Sequence, residues 1–219
     1  MSAPATDLVT PPTRAGWVDG LLRRSILNGE MAPGEKLYAE RLAEQWGVSA
    51  TPVRETFQRL AGEGLVVIEP QRGARVAPLS VDEAIEVYEL RLLLDPVALQ
   101  QSMQAAAGDA GFAAEVHDAH RRTVSRHATV ADYHDAHRAF HLAIVSRCPN
   151  RRMLAEVTQL LDHSQRFQMV GAGSVRRGDP AGEHSALRDA VVAGDRRAAV
   201  RVLKQHLRGT LDAVVASAA

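Results

Sequence analysis

Residues 42–65 read LAEQWGVSATPVRETFQRLAGEGL. Leu42, Ala43 and Trp46 place one apolar face on a short helix. Gly47 stands where the chain must reverse, because only glycine closes a helix in the left-handed conformation without steric cost. Ser49 suits the N-cap of a second helix; the alternative is Thr51 as cap, with Pro52 at the first helical position. Val53, Phe57 and Leu60 then recur at helical spacing and face inward, while Arg54, Gln58 and Arg59 lie off that face. Two short helices joined by a glycine turn describe a helix-turn-helix. The plain alternative is a helical hairpin in a core.

The stretch that follows favours DNA. Leu65-Val66-Val67-Ile68 is a short β-branched run, Glu69 to Gly73 a turn, and Ala74 to Ala77 a returning strand. A ribbon with Arg72 and Arg75 beside Gly73 at its tip reads as a wing that meets phosphate or a minor groove. Otherwise it is an ordinary exposed hairpin. Upstream, Trp17, Val18, Leu21, Leu22 and Ile26 predict a helix that stops near Asn28-Gly29. A winged helix over residues 15–78 accounts for all of this. Residues 1–14, rich in Pro, Thr and Ala, are expected to be a disordered tail and lack the features of a signal peptide.

Pro33-Gly34-Glu35-Lys36-Leu37, Leu42-Ala43-Glu44, Gly47-Val48-Ser49, Thr51 to Glu55, Leu60, Glu63-Gly64-Leu65 and Arg72-Gly73 together resemble the winged helix of GntR-family bacterial transcription regulators. The resemblance runs in order over about sixty residues. Two positions depart from the family pattern. Ala50 follows the turn serine where the family usually has arginine. Glu40 stands where an early arginine is frequent, with Arg41 beside it. Both positions usually contact DNA in the family. The resemblance implies a DNA-binding set of Arg41, Ser49, Thr51, Pro52, Arg54, Arg59, Arg72, Gly73 and Arg75, with an altered operator sequence or affinity.

Composition sets the outer bounds. The chain has 219 residues, 46% hydrophobic and 24% charged, with a formal net charge of zero, so any basic surface must be local. One cysteine, Cys148, excludes an internal disulfide and suits a reducing cytoplasm. No apolar run approaches the roughly 18 residues of a membrane span.

Beyond the wing, helical signals follow one another. Ser80 with Glu83 forms a capping box for a helix carrying Ala84, Val87, Tyr88, Leu90 and Leu92 to Leu94, running on past Pro96 with apolar residues on most faces. Further helices are expected over Asp109–His127, Thr129–Arg147, Asn150–Met169, Pro180–Ala193 and, capped by Asp195, Arg196–Val215, with a break at Gly171-Ala172-Gly173-Ser174. Six helices without a strand make an all-α bundle over residues 79–219, so the whole chain is mainly α. Arg91 is one of few charges in its run. It is either exposed or paired with Glu89 or Asp95, or it points into a pocket for an acid.

Nine histidines are many for this length. His137 and His141, four apart in ADYHDAHRAFH, share a helix face and can reach one metal; His134 lies near that face. By spacing alone this is weak, since surface histidines also cluster by chance. Glu89-Leu90-Arg91, Phe140-His141 with Asn150, Glu183-His184 with Ala190, Gly194 and Asp195, and His206-Leu207 resemble the FCD-type ligand-binding domain of the FadR subgroup of GntR proteins. In many members an aspartate and three histidines hold a metal. The resemblance assigns His141, His184 and His206 to the three histidines. The aspartate position is His137. A four-histidine set would favour zinc, with nickel next, over manganese or magnesium. Asp132 and Asp135 are near, but Asp135 lies about 120° from His141 around the helix. If His137 does not ligate, the pocket would hold its ligand through Arg91 and neutral histidines. Arg166 is a second candidate cation, or simply a solvated one.

The resulting expectation is a cytoplasmic, homodimeric, sequence-specific repressor. It would bind an inverted-repeat operator and respond to a small carboxylate effector at a pocket containing a divalent metal. Two rivals are a constitutive DNA-binding dimer and a metal-dependent hydrolase with a DNA-binding head. The second finds neither HExxH nor GxSxG in the sequence.

Overall fold

Gly47 reverses the chain as expected. In the computed structural model, which describes residues 13–70, 72–170 and 180–217, it takes φ +65° and ψ +36°. Its N–H reaches Glu44 O, and the N–H of Val48 reaches Ala43 O at 3.0 Å. This Schellman closure satisfies the last carbonyls of α2 (Ala39–Trp46) and frees the chain to start α3 (Ala50–Gly62). Ser49 is the N-cap by backbone position, but its side chain makes no capping bond. Thr51 and Pro52 therefore sit inside the first turn of α3, not at its cap and first position.

Around this pair fold α1 (Arg14–Leu27) and a sheet of β1 (Lys36–Leu37), β2 (Val66–Glu69) and β3 (Gly73–Val76). The sheet is antiparallel in the order β1-β3-β2, with Val67 and Lys36 flanking Arg75. Two of these strands are expected from the sequence. The third, β1, is two residues long and is held by Gly34 N–H to Val76 O and Val76 N–H to Glu35 O. Val18, Leu22, Ile26, Leu37, Leu42, Val53, Phe57, Leu60, Val66 and Val76 are buried in this part of the chain, while Trp17 is 42% exposed. Of the expected tail, residues 1–12 lie outside the described residues, and Arg14 already opens α1.

Six helices follow among the described residues: α4 (Val81–Ala105), α5 (Ala110–Val124), α6 (Val130–Val145), α7 (Arg151–Val170), α8 (Pro180–Val192) and α9 (Arg196–Ser217). Five of these starts follow side-chain caps. Ser80 Oγ accepts from Glu83 N–H, Asp109 Oδ1 from Phe112, Asn150 Oδ1 from Met153 and Asp195 Oδ1 from Ala198. The reciprocal box forms at Thr129 and Asp132; at Ser80 only one half is made, and Glu83 lies 3.8 Å from His163 Nδ1 instead. The break expected at residues 171–174 lies outside the described residues.

α4 packs on α6, α7 and α9, and α8 packs on α5 and α9. Tyr88, Leu99, Val116, Phe140, Ile144, Leu187, Leu203 and Leu207 form their core. α4 is thus central to the unit, yet its apolar Leu90, Leu93 and Val97 are exposed on one side. By contact the chain divides into two units, Met1–Ile26 with Glu30–Ala77 and Leu27–Gly29 with Pro78–Ala219. Among the described residues no helix is long and apolar enough to cross a membrane.

Leu60 has no exposed surface. Leu60→Ala is expected to cost about 2–5 kcal/mol, read as a lowered urea midpoint; a loss under about 1 kcal/mol would mean that its site collapses around the smaller side chain.

Candidate nucleic-acid interface and metal centre

The exposed side of α3 carries Thr51, Arg54 and Arg59, with Ser49 just before it; Pro52 is half-buried. Three of the candidate arginines are already engaged. Arg54 Nη2 donates to Glu40 Oε1 on α2. Arg59 Nε donates to Asp19 Oδ1 on α1 at 3.0 Å, and its Nη2 to Thr56 Oγ1 at 3.1 Å. Arg75 forks onto Glu69 at 2.7 and 2.8 Å across the wing, and its third nitrogen reaches Gly34 O. The Arg75 hydrogen bond holds the Glu69 carboxyl below its ordinary range. Arg41 and Arg72 are exposed and make no ion pair among the described residues. Gly73 opens β3 at φ +91°, a conformation that lets the backbone turn at the tip.

In the helical unit, His137 and His141 project from one face of α6, His184 from α8 and His206 from α9. All four are buried, and one ring nitrogen of each lies within 4.8 Å of the others. His137 Nε2 and His141 Nε2 are 3.2 Å apart. Nitrogens at about 2.0–2.1 Å from one tetrahedral ion stand about 3.3 Å apart, so this spacing fits two ligands of one metal. Burial first, then the other three imidazoles, pushes the His137 pKa well below its ordinary value. At neutral pH its ring is therefore uncharged and has a lone pair to give. His206 Nδ1 lies 3.0 Å from Glu183 Oε2. A carboxylate there accepts a hydrogen bond from Nδ1–H, which fixes the tautomer and leaves the Nε2 lone pair for a metal.

The sequence marks these four histidines as ligands but Glu183 only as part of the FCD resemblance, with no role, and its link to His206 spans 23 residues and two helices. Tyr133, which has no role there either, stacks on His137 with centroids 5.9 Å apart. His134 is buried beside His137 and its pKa falls to about 4 through desolvation, yet it stands outside the four-nitrogen cluster. Asp132 is used in the α6 cap, and Asp135 is exposed; neither joins the cluster.

Arg91 is buried, and it is not a bare cation. Its Nε and Nη2 donate to Asp95 Oδ2 at 3.0 and 2.8 Å, its Nη1 donates to Ser164 Oγ at 2.8 Å, and it lies over the Tyr88 ring. Burial raises the Asp95 pKa while Arg91 opposes it. Arg166, expected exposed or in a pocket, is buried, and desolvation lowers its pKa against the pull of Glu83.

A winged helix joined to a helical unit with a histidine centre defines a DNA-binding transcription regulator. The model for bacterial regulatory proteins of the gntR family matches residues 16–76, and that for the FCD domain matches residues 86–209. BphR, an uncharacterized HTH-type transcriptional regulator of Paraburkholderia xenovorans strain LB400, is 31% identical over 205 residues, covering 88% of this chain and 82% of its own. GlaR, an HTH-type transcriptional repressor of Escherichia coli strain K12, is 27% identical over 199 residues, covering 85% and 89%. The solved structure of E. coli McbR/YncC shares the fold with a TM-score of 0.82 at 19% identity, over 94% of this chain and 99% of that one. The chain belongs to the GntR family of bacterial transcription regulators, with an FCD domain as its helical part. It is a regulator, not an enzyme.

If the four histidines hold a metal and Glu183 orients His206, Glu183→Ala should weaken metal binding about 10- to 100-fold without changing helix content. Competition with a chromogenic chelator measures this; unchanged affinity would remove Glu183 from that role.

Proposed function

We propose that the protein is a dimeric repressor acting in the cytoplasm, whose grip on an inverted-repeat operator is set by a small organic acid bound beside a divalent metal, zinc before nickel. Residues 15–78 form the DNA-binding head, and residues 79–219 bind the effector and dimerise. The observation that carries this is the convergence of four buried imidazoles from three helices. An all-nitrogen set without a carboxylate favours zinc, nickel or copper over magnesium or manganese. His137, His141, His184 and His206 would hold the ion, which would supply a Lewis-acid anchor for a carboxylate. That role needs a coordination position beyond the four histidines.

Arg91 offers the counter-charge. An entering carboxylate would compete with Asp95 for it, and Arg166 adds a second buried cation in the same unit. On the DNA side, α3 would enter the major groove with Arg54 at base edges or phosphate. Ser49, Thr51 and the start of α3 at Pro52 would lie along the backbone. Arg41 would meet phosphate, and Arg72, Gly73 and the Arg75 strand would reach backbone or minor groove. Arg59, turned toward Asp19, would serve to fix α3 against α1. The repressor names of relatives such as GlaR favour repression. Effector control then requires that the acid bind one conformation of the dimer more tightly than the other.

Elemental analysis of the purified full-length chain tests the centre, with His137→Ala alongside. About one zinc or nickel per chain, reduced in the variant, is the expected result. Full occupancy in the variant would remove His137 from the ligand set, and no metal in protein prepared without chelator would overturn the metal-anchored reading.

Leu90, Leu93 and Val97 leave an apolar stripe on one side of α4, 48%, 67% and 39% exposed, and a second copy is the occupant that the dimer requires. Leu93→Glu is expected to convert the dimer to monomer in analytical ultracentrifugation at micromolar concentration; an unchanged dimer would place the interface elsewhere.

A further inference from the structure

We infer that Glu40 is a positioning residue that aims Arg54 at a single base edge of the operator. The inference rests on the proposal that α3 enters the major groove. Arg54 lies in the second turn of α3, near its N-terminal end, the end that meets base edges in helix-turn-helix proteins. Its side chain is 62% exposed, and that of Glu40, in the first turn of α2, is 70% exposed. Arg54 Nη2 donates to Glu40 Oε1, and Nε and Nη1 make no other hydrogen bond among the described residues. One edge of the guanidinium is therefore held, and donors remain for a guanine, which needs two for O6 and N7.

Arg59 and Arg75 differ. Arg75 places all three nitrogens on protein oxygens, and Arg59 places two, so both serve the fold. Arg54 alone among the three is held at a single nitrogen. The Glu40–Arg54 pair is too exposed to add much stability. Its carboxylate also repels DNA phosphates and cancels the charge that Arg54 would bring to them. What it supplies is selection. A guanidinium tied to Glu40 gains little from a phosphate and gains most from two aligned base acceptors, while a wrong base leaves the pair desolvated and unmatched. An acidic residue at the start of α2 would also suit the helix dipole, but that role does not involve Arg54 and predicts no change in base preference.

The test is selection from a random-sequence DNA duplex library with the full-length protein, for wild type, Glu40→Ala, Glu40→Gln and Arg54→Ala. Binding is then titrated on the selected duplex across salt concentrations. Wild type should prefer guanine at one base pair of each half-site by about tenfold or more. Glu40→Ala should flatten that pair alone, as Arg54→Ala does, while its affinity for unselected duplex rises and its log–log salt slope steepens by about one phosphate contact. Glu40→Gln keeps the acceptor and should retain most of the preference. A Glu40→Ala motif identical to wild type would overturn the inference while leaving the operator proposal intact. A wild type that selects no motif would overturn both.

Discussion

Keeping four imidazoles dry is the constraint on which the helical unit depends. A buried polar group without a hydrogen bond costs on the order of 1–3 kcal/mol. α6, α8 and α9 therefore hold together more firmly when the nitrogens they bury are answered. His137 and His141 face one another, Glu183 answers His206, and a shared ion would answer all four. The same rule arranges the rest of the polar layer. Arg91 is matched by Asp95 and Ser164, and Arg138 reaches Asp162 at 2.6 Å. Tyr88, Leu99, Phe140 and Leu207 fill the apolar space of the same unit.

The DNA-binding head handles charge on its surface instead. Asp19, Glu40 and Glu69 each take one of the arginines that α3 or the wing presents. This reconciles a net charge of zero with a DNA-binding role: a basic footprint need only be local. It also divides the arginines by task. Those bound at several nitrogens brace α1 against α3 or one wing strand against the other, and the exposed Arg41 and Arg72 keep their charge for a phosphate backbone.

Much of this was legible from residue order. Gly47, the periodic Val53, Phe57 and Leu60, the Ser80 and Asp195 caps and the wing each carry a local signal, and local signals survive folding. The four histidines were legible only through resemblance, because their spacing within α6 is weak and α8 and α9 lie far along the chain. What escaped lacked a local signature. β1 has two residues and no period. Glu40 and Arg54 are 14 residues apart, and Glu183 and His206 are 23 apart, on different helices. The choice of Asp95 for Arg91 was one of several open options, although four residues along a helix is the spacing that brings side chains together. Leu90 and Leu93 looked like core residues because hydrophobicity does not say which face a neighbouring helix will cover.

α4 carries inward and outward tasks on adjacent residues. Arg91 points into the unit toward Asp95, and Leu90 and Leu93 point away from it. On the proposed function, an acid that draws Arg91 off Ser164 would break a tie between α4 and α7, and a shift of α4 there would change how the leucines meet a second copy. Small-molecule affinity and subunit affinity would then be thermodynamically linked. The sensitivity of such a switch would depend on how many copies the cell keeps: a scarce regulator and an abundant one, identical in sequence, would respond at different concentrations of the same acid.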